Sequence, residues 1–303
     1  MDKKELRKEI YAQIIPNLIW ERPLNRQQEI NFKIWKKEFN IDLDYLRWYT
    51  DKRILFQIVK YLGNKELCLN SEKSMIRWLY ASKIEHLLKY FYVYEFFEKP
   101  KTLYCGLAGF KYREQPPISP ILKRKWQEEV WTGGECKYLT QMNSYDFGMD
   151  FDSDNWKDSW KDCKKVVELF ERFKIRYSVW FSGKKGFHIK VPYNEIKDLL
   201  GNFDVENIIS FCKSLALDLR DFLKLKNIDL IIYSSSRYLK CCFSLDSRNK
   251  NPIYPLSLKE FKNFKKLKID MEYCLNNKNI GFMDVYHGRI SNPEGFKKMV
   301  EYL

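Results

Sequence analysis

The sequence predicts an α+β protein in which a helical N-terminal region precedes a core of mixed or antiparallel β-sheet flanked by helices. Residues 26–39 and 73–97 carry apolar side chains at spacings of three and four, which is the period of a helix. Residues 145–151 and 177–191 alternate between apolar and polar side chains, which is the period of a half-buried strand. Together these patterns indicate the α+β class.

The same patterns divide the chain into three parts. Residues 1–98 are predicted to be mainly helical, with their aromatic side chains packed inside. Pro100 breaks the helical pattern, so residues 99–260 are predicted to form the β-containing core. Residues 261–303 are predicted to form a basic helical segment.

Within the core region, a first strand is predicted at residues 103–110. The next elements are predicted as strand, helix, hairpin, helix and strand, at residues 145–151, 156–170, 177–191, 205–226 and 228–245. Apolar residues of the first helix recur at steps of four, three, four and three, and Ser153 or Asp154 can cap its start. This order fits a sheet with a crossover connection.

The charge balance favours a polyanionic partner. Lys and Arg number 54 against 40 Asp and Glu, which gives a net charge of +14. A surplus of this size favours nucleic acid first and an acidic membrane surface second. The first residues are charged, and no apolar run is long enough to span a bilayer, so we expect a cytoplasmic protein.

The cysteines give no sign of a metal or disulfide framework. The chain has 8 of them, scattered and without a CxxC pair. Zinc ribbons and secreted disulfide scaffolds both need regular spacings. We therefore expect reduced thiols that pack as small hydrophobes, and no structural zinc.

Carboxylates follow one face of the strand predicted at residues 145–151. Asp150 and Asp152 are two residues apart on this face, where two like charges raise each other's pKa unless a cation lies between them. Carboxylate oxygens suit Mg²⁺ or Mn²⁺. The alternative is a negatively charged strand end that is paired with lysines.

A glycine-rich turn joins the two predicted strands of the hairpin. Its backbone can come close to a ligand, and its hydroxyl, amides and ammonium groups can bind phosphate. His188 lies on the strand face opposite Phe187 and Ile189, so it is predicted to point away from the core. The alternative is a plain hairpin. The candidate phosphate-binding residues are Ser182, Gly183, Lys184, Lys185, Gly186 and His188.

Two further groups of charged residues are candidates. Asp229 lies among Ile and Leu residues, where an ionised carboxylate is costly unless it is paired or binds metal. Arg237 and Lys240 follow it, three residues apart, and an internal salt bridge at a strand end is the alternative. The patch Lys123, Arg124 and Lys125 is a candidate nucleic-acid contact or a solvated loop.

The order of these motifs resembles the archaeo-eukaryotic primase superfamily over residues 100–260. The motifs are an hhhDhD strand, SGxxGxHI, and a distal strand with an Asp and a basic pair before Phe-Ser-Leu. The sequence is most similar to the catalytic (small) primase subunit and to plasmid and viral primase-polymerases. This resemblance implies that Asp150, Asp152 and Asp229 bind metal and that the SGxxGxH motif holds the phosphates of the nucleotide. Arg237 and Lys240 match the basic pair that grips the triphosphate.

Two departures from the family pattern stand out. Many relatives have a histidine where this chain has Asp246, so a phosphate contact is expected to move to Arg248 or Lys250. The cysteine knuckle that cellular subunits carry after the first motif is missing, which suggests a minimal form without its zinc.

The resemblance implies a DNA primase or primase-polymerase. Such an enzyme makes short RNA or DNA primers de novo on single-stranded DNA, from nucleoside triphosphates, by a two-metal mechanism. A large or accessory primase subunit or domain, or a helicase, is a possible partner, and no membrane is expected. Two alternatives remain open: a metal-dependent nuclease and a non-catalytic single-stranded-DNA-binding replication protein.

Overall fold

The computed structural model describes residues 2–71, 74–110, 142–200, 204–233, 237–264, 268–277, 280, 286–287 and 291–303. Its helices are α1 (Lys3–Glu9), α2 (Ile15–Ile19), α3 (Arg26–Glu38), α4 (Leu43–Thr50), α5 (Lys52–Leu62), α6 (Ile84–Val93), α7 (Trp156–Arg172), α8 (Tyr193–Ile196), α9 (Val205–Leu223), α10 (Leu258–Lys262), α11 (Met271–Leu275) and α12 (Pro293–Tyr302). A π-helical turn (Ile10–Ile14) joins α1 to α2, and a 3₁₀ turn (Lys197–Leu199) follows α8.

The strands are β1 (Lys65–Ser71), β2 (Ser74–Leu79), β3 (Thr102–Phe110), β4 (Met142–Tyr145), β5 (Phe147–Phe151), β6 (Ser178–Phe181), β7 (Phe187–Val191), β8 (Ile228–Asp229), β9 (Tyr238–Lys240) and β10 (Tyr254–Pro255). They form two sheets. The first has the order β2-β1-β3-β4, with β9 also paired to β3, and the second has the order β10-β6-β7-β5-β8. All described strand pairs are antiparallel, and helices flank the sheets, so the predicted α+β fold class is confirmed.

A hairpin interrupts the helical N-terminal region. The helix predicted over residues 73–97 is wrong in its first part, because residues 74–79 form β2, which pairs with β1. The apolar residues of such a short stretch match the helix period and the strand period alike, and pairing with β1 decides between them. β1 also pairs with β3, so strand pairing crosses the boundary predicted at residue 98.

Among the described strands of the core, the chain passes between the two sheets three times, from β4 to β5, from β8 to β9 and from β9 to β10. The strand predicted over residues 145–151 is two strands, since β4 belongs to the first sheet and β5 to the second, with Asp146 between them. The prediction of one strand over residues 228–245 is also wrong. This stretch contains two short strands, β8 in the second sheet and β9 in the first. Alternation is a local signal and does not say which sheet will supply a strand's hydrogen-bond partners.

The two long helices of the core match their predictions. In α7, Trp160, Cys163, Val167 and Phe170 are all buried, as the helical spacing predicts. Its N-cap is Asn155 instead of Ser153 or Asp154, because the Asn155 side chain accepts the Lys157 N–H at 3.1 Å. Asp204 caps α9, which begins at the predicted residue.

Two further predictions concern a basic surface patch and membrane-spanning helices. The basic patch Lys123, Arg124 and Lys125 lies outside the described residues. Among the helices that the structure describes, none combines the length and the apolar character that crossing a bilayer requires.

Candidate active site

Asp150 lies in the middle strand of a three-strand group in the second sheet. It is paired with His188 of β7 on one side and with Asp229 of β8 on the other. Directly opposed residues of neighbouring strands share a face of the sheet, so these three side chains lie side by side. The structure therefore brings together two of the three predicted acids with the predicted histidine.

His188 lies on the face that the sequence predicts, but it is buried there. Only 4% of the residue is exposed, because Trp180 packs against the ring edge with the ring centroids 5.4 Å apart. Its Nε2 atom is 3.2 Å from Oδ1 of Asp150. Its buried Nδ1 atom has no hydrogen-bond partner among the described residues. His188 is thus held by packing, with one ring nitrogen directed at the carboxylate.

Asp152 follows β5 and is exposed. Its backbone N–H donates to the Asn227 carbonyl at 3.0 Å, which ties it to the loop before β8. That loop is held by Asp162, whose Oδ2 atom accepts the N–H groups of Lys226 and Asn227 at 2.7 and 2.9 Å. Sequence reasoning missed Asp162, because a charged residue on a largely polar helix gives no sign of its buried hydrogen bonds.

The turn between β6 and β7 is closed by its own polar groups. The Ser182 N–H donates to the Gly186 carbonyl, and the Gly186 N–H donates to Ser182 Oγ, both at 3.0 Å. Gly183 has a φ of 86°, a conformation that L side chains rarely adopt. A Cβ atom on Gly186 would lie 2.8 Å from the Phe151 carbonyl oxygen, so the turn packs closely against the end of β5.

The two lysines of this turn differ in their surroundings. Lys184 is exposed. Lys185 pairs with Asp154 at 3.0 Å, and this hydrogen bond raises the pKa of Lys185 and lowers that of Asp154. Asp154, two residues after Asp152, therefore has a lysine partner.

Strand β9 of the first sheet and the segment that follows it contribute two cationic groups. Lys240 of β9 donates to the Ser182 carbonyl at 2.9 Å and to Asp246 at 2.7 Å. Arg248 contacts the same carboxylate at 2.8 Å. Burial opposes ionisation of Asp246, but the hydrogen bonds from Arg248 and Lys240 outweigh it and hold the pKa of this carboxyl well below its usual range. Asp246 thus anchors both cations.

These groups line one pocket of about 400 Å³ between the two sheets. Its lining residues are Tyr104, Asp150, Asp152, Ser182, Lys184, Lys185, His188, Lys240 and Arg248. Tyr104, which sequence reasoning missed, is paired with Lys240 across β3 and β9. A tyrosine in a strand pattern has no mark that separates it from a core residue.

Five of the predicted residues that the structure describes lie outside this lining: Gly183, Gly186, Asp229, Arg237 and Lys250. Asp229 is not part of it but is the strand neighbour of Asp150. Arg237 is exposed one residue before β9. Lys250 pairs with Asp42 at 2.5 Å, so of the two residues proposed to replace the family histidine, only Arg248 lies at the pocket.

The carboxylates are the candidate metal ligands of this site. Asp150, Asp152 and Asp229 offer hard oxygen donors, which suit Mg²⁺ and Mn²⁺. Within the part of the chain that the structure describes, no three His, Cys, Asp or Glu side chains stand close enough to form a ready metal site. Seven of the cysteines are described, and all are buried free thiols.

Comparison with known proteins adds evidence about the fold. No family model and no curated protein matches the chain. Among solved structures, the polymerase domain of ligase D from Mycobacterium tuberculosis, in complex with DNA, is similar to it with a TM-score of 0.51. The match covers 76% of this chain and 86% of that domain, at 11% sequence identity. The chain therefore shares the overall fold of that polymerase domain.

Proposed function

We propose that this protein is a primase-polymerase of the archaeo-eukaryotic primase superfamily, which joins nucleotides on a single-stranded DNA template without a primer. The placement of Asp150 between Asp229 and His188, at a pocket lined by Lys240 and Arg248, is the observation that carries this proposal. Acids on one wall and cations on the other are what a metal–triphosphate requires. The likeness in fold to a polymerase domain that was solved in complex with DNA supports the same function.

The donor set fits divalent ions. Mg²⁺ usually takes one or two carboxylates and completes its shell with water and substrate phosphates, so a ready group of three protein ligands is not needed. Asp150 and Asp229 face each other as paired residues, and Asp152 follows two positions later. We assign metal binding to these three acids. Bound divalent ions would neutralise the carboxylates and lower the pKa of the attacking hydroxyl.

In the proposed reaction, the 3′-oxygen of the initiating or growing nucleotide bonds to the α-phosphorus of the incoming triphosphate. The bond from that phosphorus to the bridging oxygen breaks, and pyrophosphate and a proton are released. Lys240 and Arg248 are proposed to neutralise charge on the leaving phosphates, and their shared anchor Asp246 holds them in place. The backbone of the Ser182–Gly186 turn and His188 are proposed to contact the same phosphates.

The test uses the purified protein with an unprimed single-stranded oligonucleotide and Mg²⁺ or Mn²⁺. Ribonucleoside and deoxyribonucleoside triphosphates are supplied in separate reactions, which also reveals the sugar preference. We expect new oligonucleotides with the wild-type protein and none with Asp150→Asn. Asp221→Asn, which removes a carboxylate from the exposed pair with Arg220, serves as a matched control and should retain activity.

The same experiment separates the alternatives. A labelled strand that becomes shorter would indicate a nuclease. A strand that is bound but keeps its length, with no nucleotide incorporated, would indicate a non-catalytic binding protein. Either result would overturn the proposal.

A further inference from the structure

A second concave surface lies beside the candidate active site. It has a volume of about 450 Å³ and is formed by α7 and the loop between α9 and β8. We call it the lysine groove, and its lining residues are Asp158, Lys161, Asp162, Lys165, Lys224, Lys226 and Asn227. None of them belongs to the pocket described above.

The acids of the lysine groove already have partners. Asp158 pairs with Lys161 at 3.1 Å. One oxygen of Asp162 accepts backbone N–H groups of the loop, and the other lies 3.5 Å from Lys165. The groove therefore has an excess of positive charge, with four lysines against two aspartates.

Two of its lysines are available to a ligand. Lys224 and Lys226 are exposed, and neither ammonium group forms an ion pair or hydrogen bond with the described residues. The loop that carries them is fixed, because Asp162 holds its backbone and the Lys165 ammonium donates to the carbonyls of Leu223 and Lys224 at 3.0 and 3.2 Å. Two exposed ammonium groups are thus presented on a hydrogen-bonded backbone, although the charge of Lys224 also acts on Asp221.

A backbone hydrogen bond links the lysine groove to the candidate active site. Asn227, at its edge, accepts the backbone N–H of Asp152 at 3.0 Å. Lys226 precedes Asp229 by three residues, a chain distance of at most about 10 Å. A nucleic-acid strand that ends at the carboxylates can therefore reach these lysines with its nearby phosphates.

We infer that the lysine groove binds the sugar-phosphate backbone of single-stranded nucleic acid next to the reaction site. This inference rests on the proposed function, which identifies the bound strand as the DNA template. The contact is electrostatic and independent of base sequence, because the groove offers ammonium groups to phosphates and no set of groups arranged to read base edges.

The test measures how the double variant Lys224→Gln/Lys226→Gln binds a fluorescent single-stranded oligothymidylate at several salt concentrations. For single strands, each lost phosphate contact reduces the slope of log K against log salt by about 0.7, so we expect a slope shallower by about 1.4 and weaker binding at low salt. Circular dichroism and thermal unfolding check that the variant is folded.

Lys297→Gln/Lys298→Gln on α12 is the matched control, since it removes the same charge from two exposed lysines elsewhere. We expect it to keep the wild-type slope. An unchanged slope in the groove variant, or an equal loss in both variants, would overturn the inference. Binding is measured without nucleotides, so a groove that binds DNA in a protein that incorporates no nucleotide would refute the proposed function alone.

Discussion

Asp146 and Asp150 stand four residues apart and have opposite surroundings. Asp146 is 4% exposed, lies 3.0 Å from Lys65 and 3.5 Å from Lys190, and accepts the Tyr193 N–H at 3.0 Å. The Asp150 side chain is 23% exposed and has Asp229 as a strand neighbour. One carboxylate lies between two lysines, and the other lies beside a histidine and a second aspartate.

The pKa of Asp146 reflects its surroundings. Burial acts to raise this pKa, but the charges of Lys65 and Lys190 outweigh burial and hold it below the usual range. Burial in turn lowers the pKa of Lys65. The comparison teaches that a carboxylate whose charge is balanced within the fold is structural, whereas Asp150 and Asp229 have no lysine or arginine partner among the described residues, which is why we propose an external cation for them.

The largest expected effect is on catalysis. Asp152→Ala should reduce nucleotide incorporation by about a thousandfold or more, because on the proposed mechanism it removes a metal ligand and with it several kcal/mol of transition-state stabilisation. Binding of single-stranded template, measured by fluorescence anisotropy, should survive. Loss of binding and synthesis together would mean that Asp152 is structural.

The second expected effect is on the stability of the fold and concerns the buried acid, Asp146. Asp146→Asn leaves two buried lysines without their carboxylate, so the free energy of unfolding should fall by about 3–5 kcal/mol. Urea unfolding followed by circular dichroism measures this change. Incorporation per folded molecule should stay near that of the wild type, and a selective loss of activity in a stable variant would contradict the structural role.

A third, smaller effect concerns nucleotide affinity. Lys240→Ala should raise the KM for nucleotide by about tenfold, since one charge-assisted contact is worth about 1.5 kcal/mol, and should change template affinity less. Equal effects on nucleotide and template would refute this role. Arg237→Ala should be measured beside it. If it raises the KM for nucleotide as much as Lys240→Ala does, Arg237 also binds the triphosphate, as the family resemblance implies. An unchanged KM would agree with the exposed position of Arg237 outside the pocket.

The smallest expected effect is the pH dependence of the stability that Asp146 contributes. An unfolded Asp binds a proton near pH 4, whereas folded Asp146 does so only at lower pH, so its stabilising contribution is present above about pH 5 and is lost as the pH falls below about 4. The difference in unfolding free energy between wild type and Asp146→Asn should be constant between about pH 5 and 7 and shrink below about pH 4. A constant difference down to acid pH would mean that the carboxylate charge is not involved.

Prediction from sequence succeeded where a signal is contained in one element. The buried face of α7 and the β6–β7 hairpin follow from side-chain periodicity and from a glycine turn. It failed at β2, where a short apolar stretch fits either period, and over residues 228–245, where the chain changes sheets. The candidate site residues were predicted from motifs, but their neighbours Asp162, Asn227 and Tyr104 were not, because the contacts of these residues depend on distant partners.

The sequence by itself determined the fold class, the main helices and strands, and the kinds of side chain available for chemistry, since these follow from local spacing and charge. Only the tertiary structure decided that Asp150 lies beside Asp229 and His188 while Asp146 is enclosed by Lys65 and Lys190. Both acids belong to the same alternating pattern. Strand pairing over long sequence distances, which no local period encodes, separates their roles.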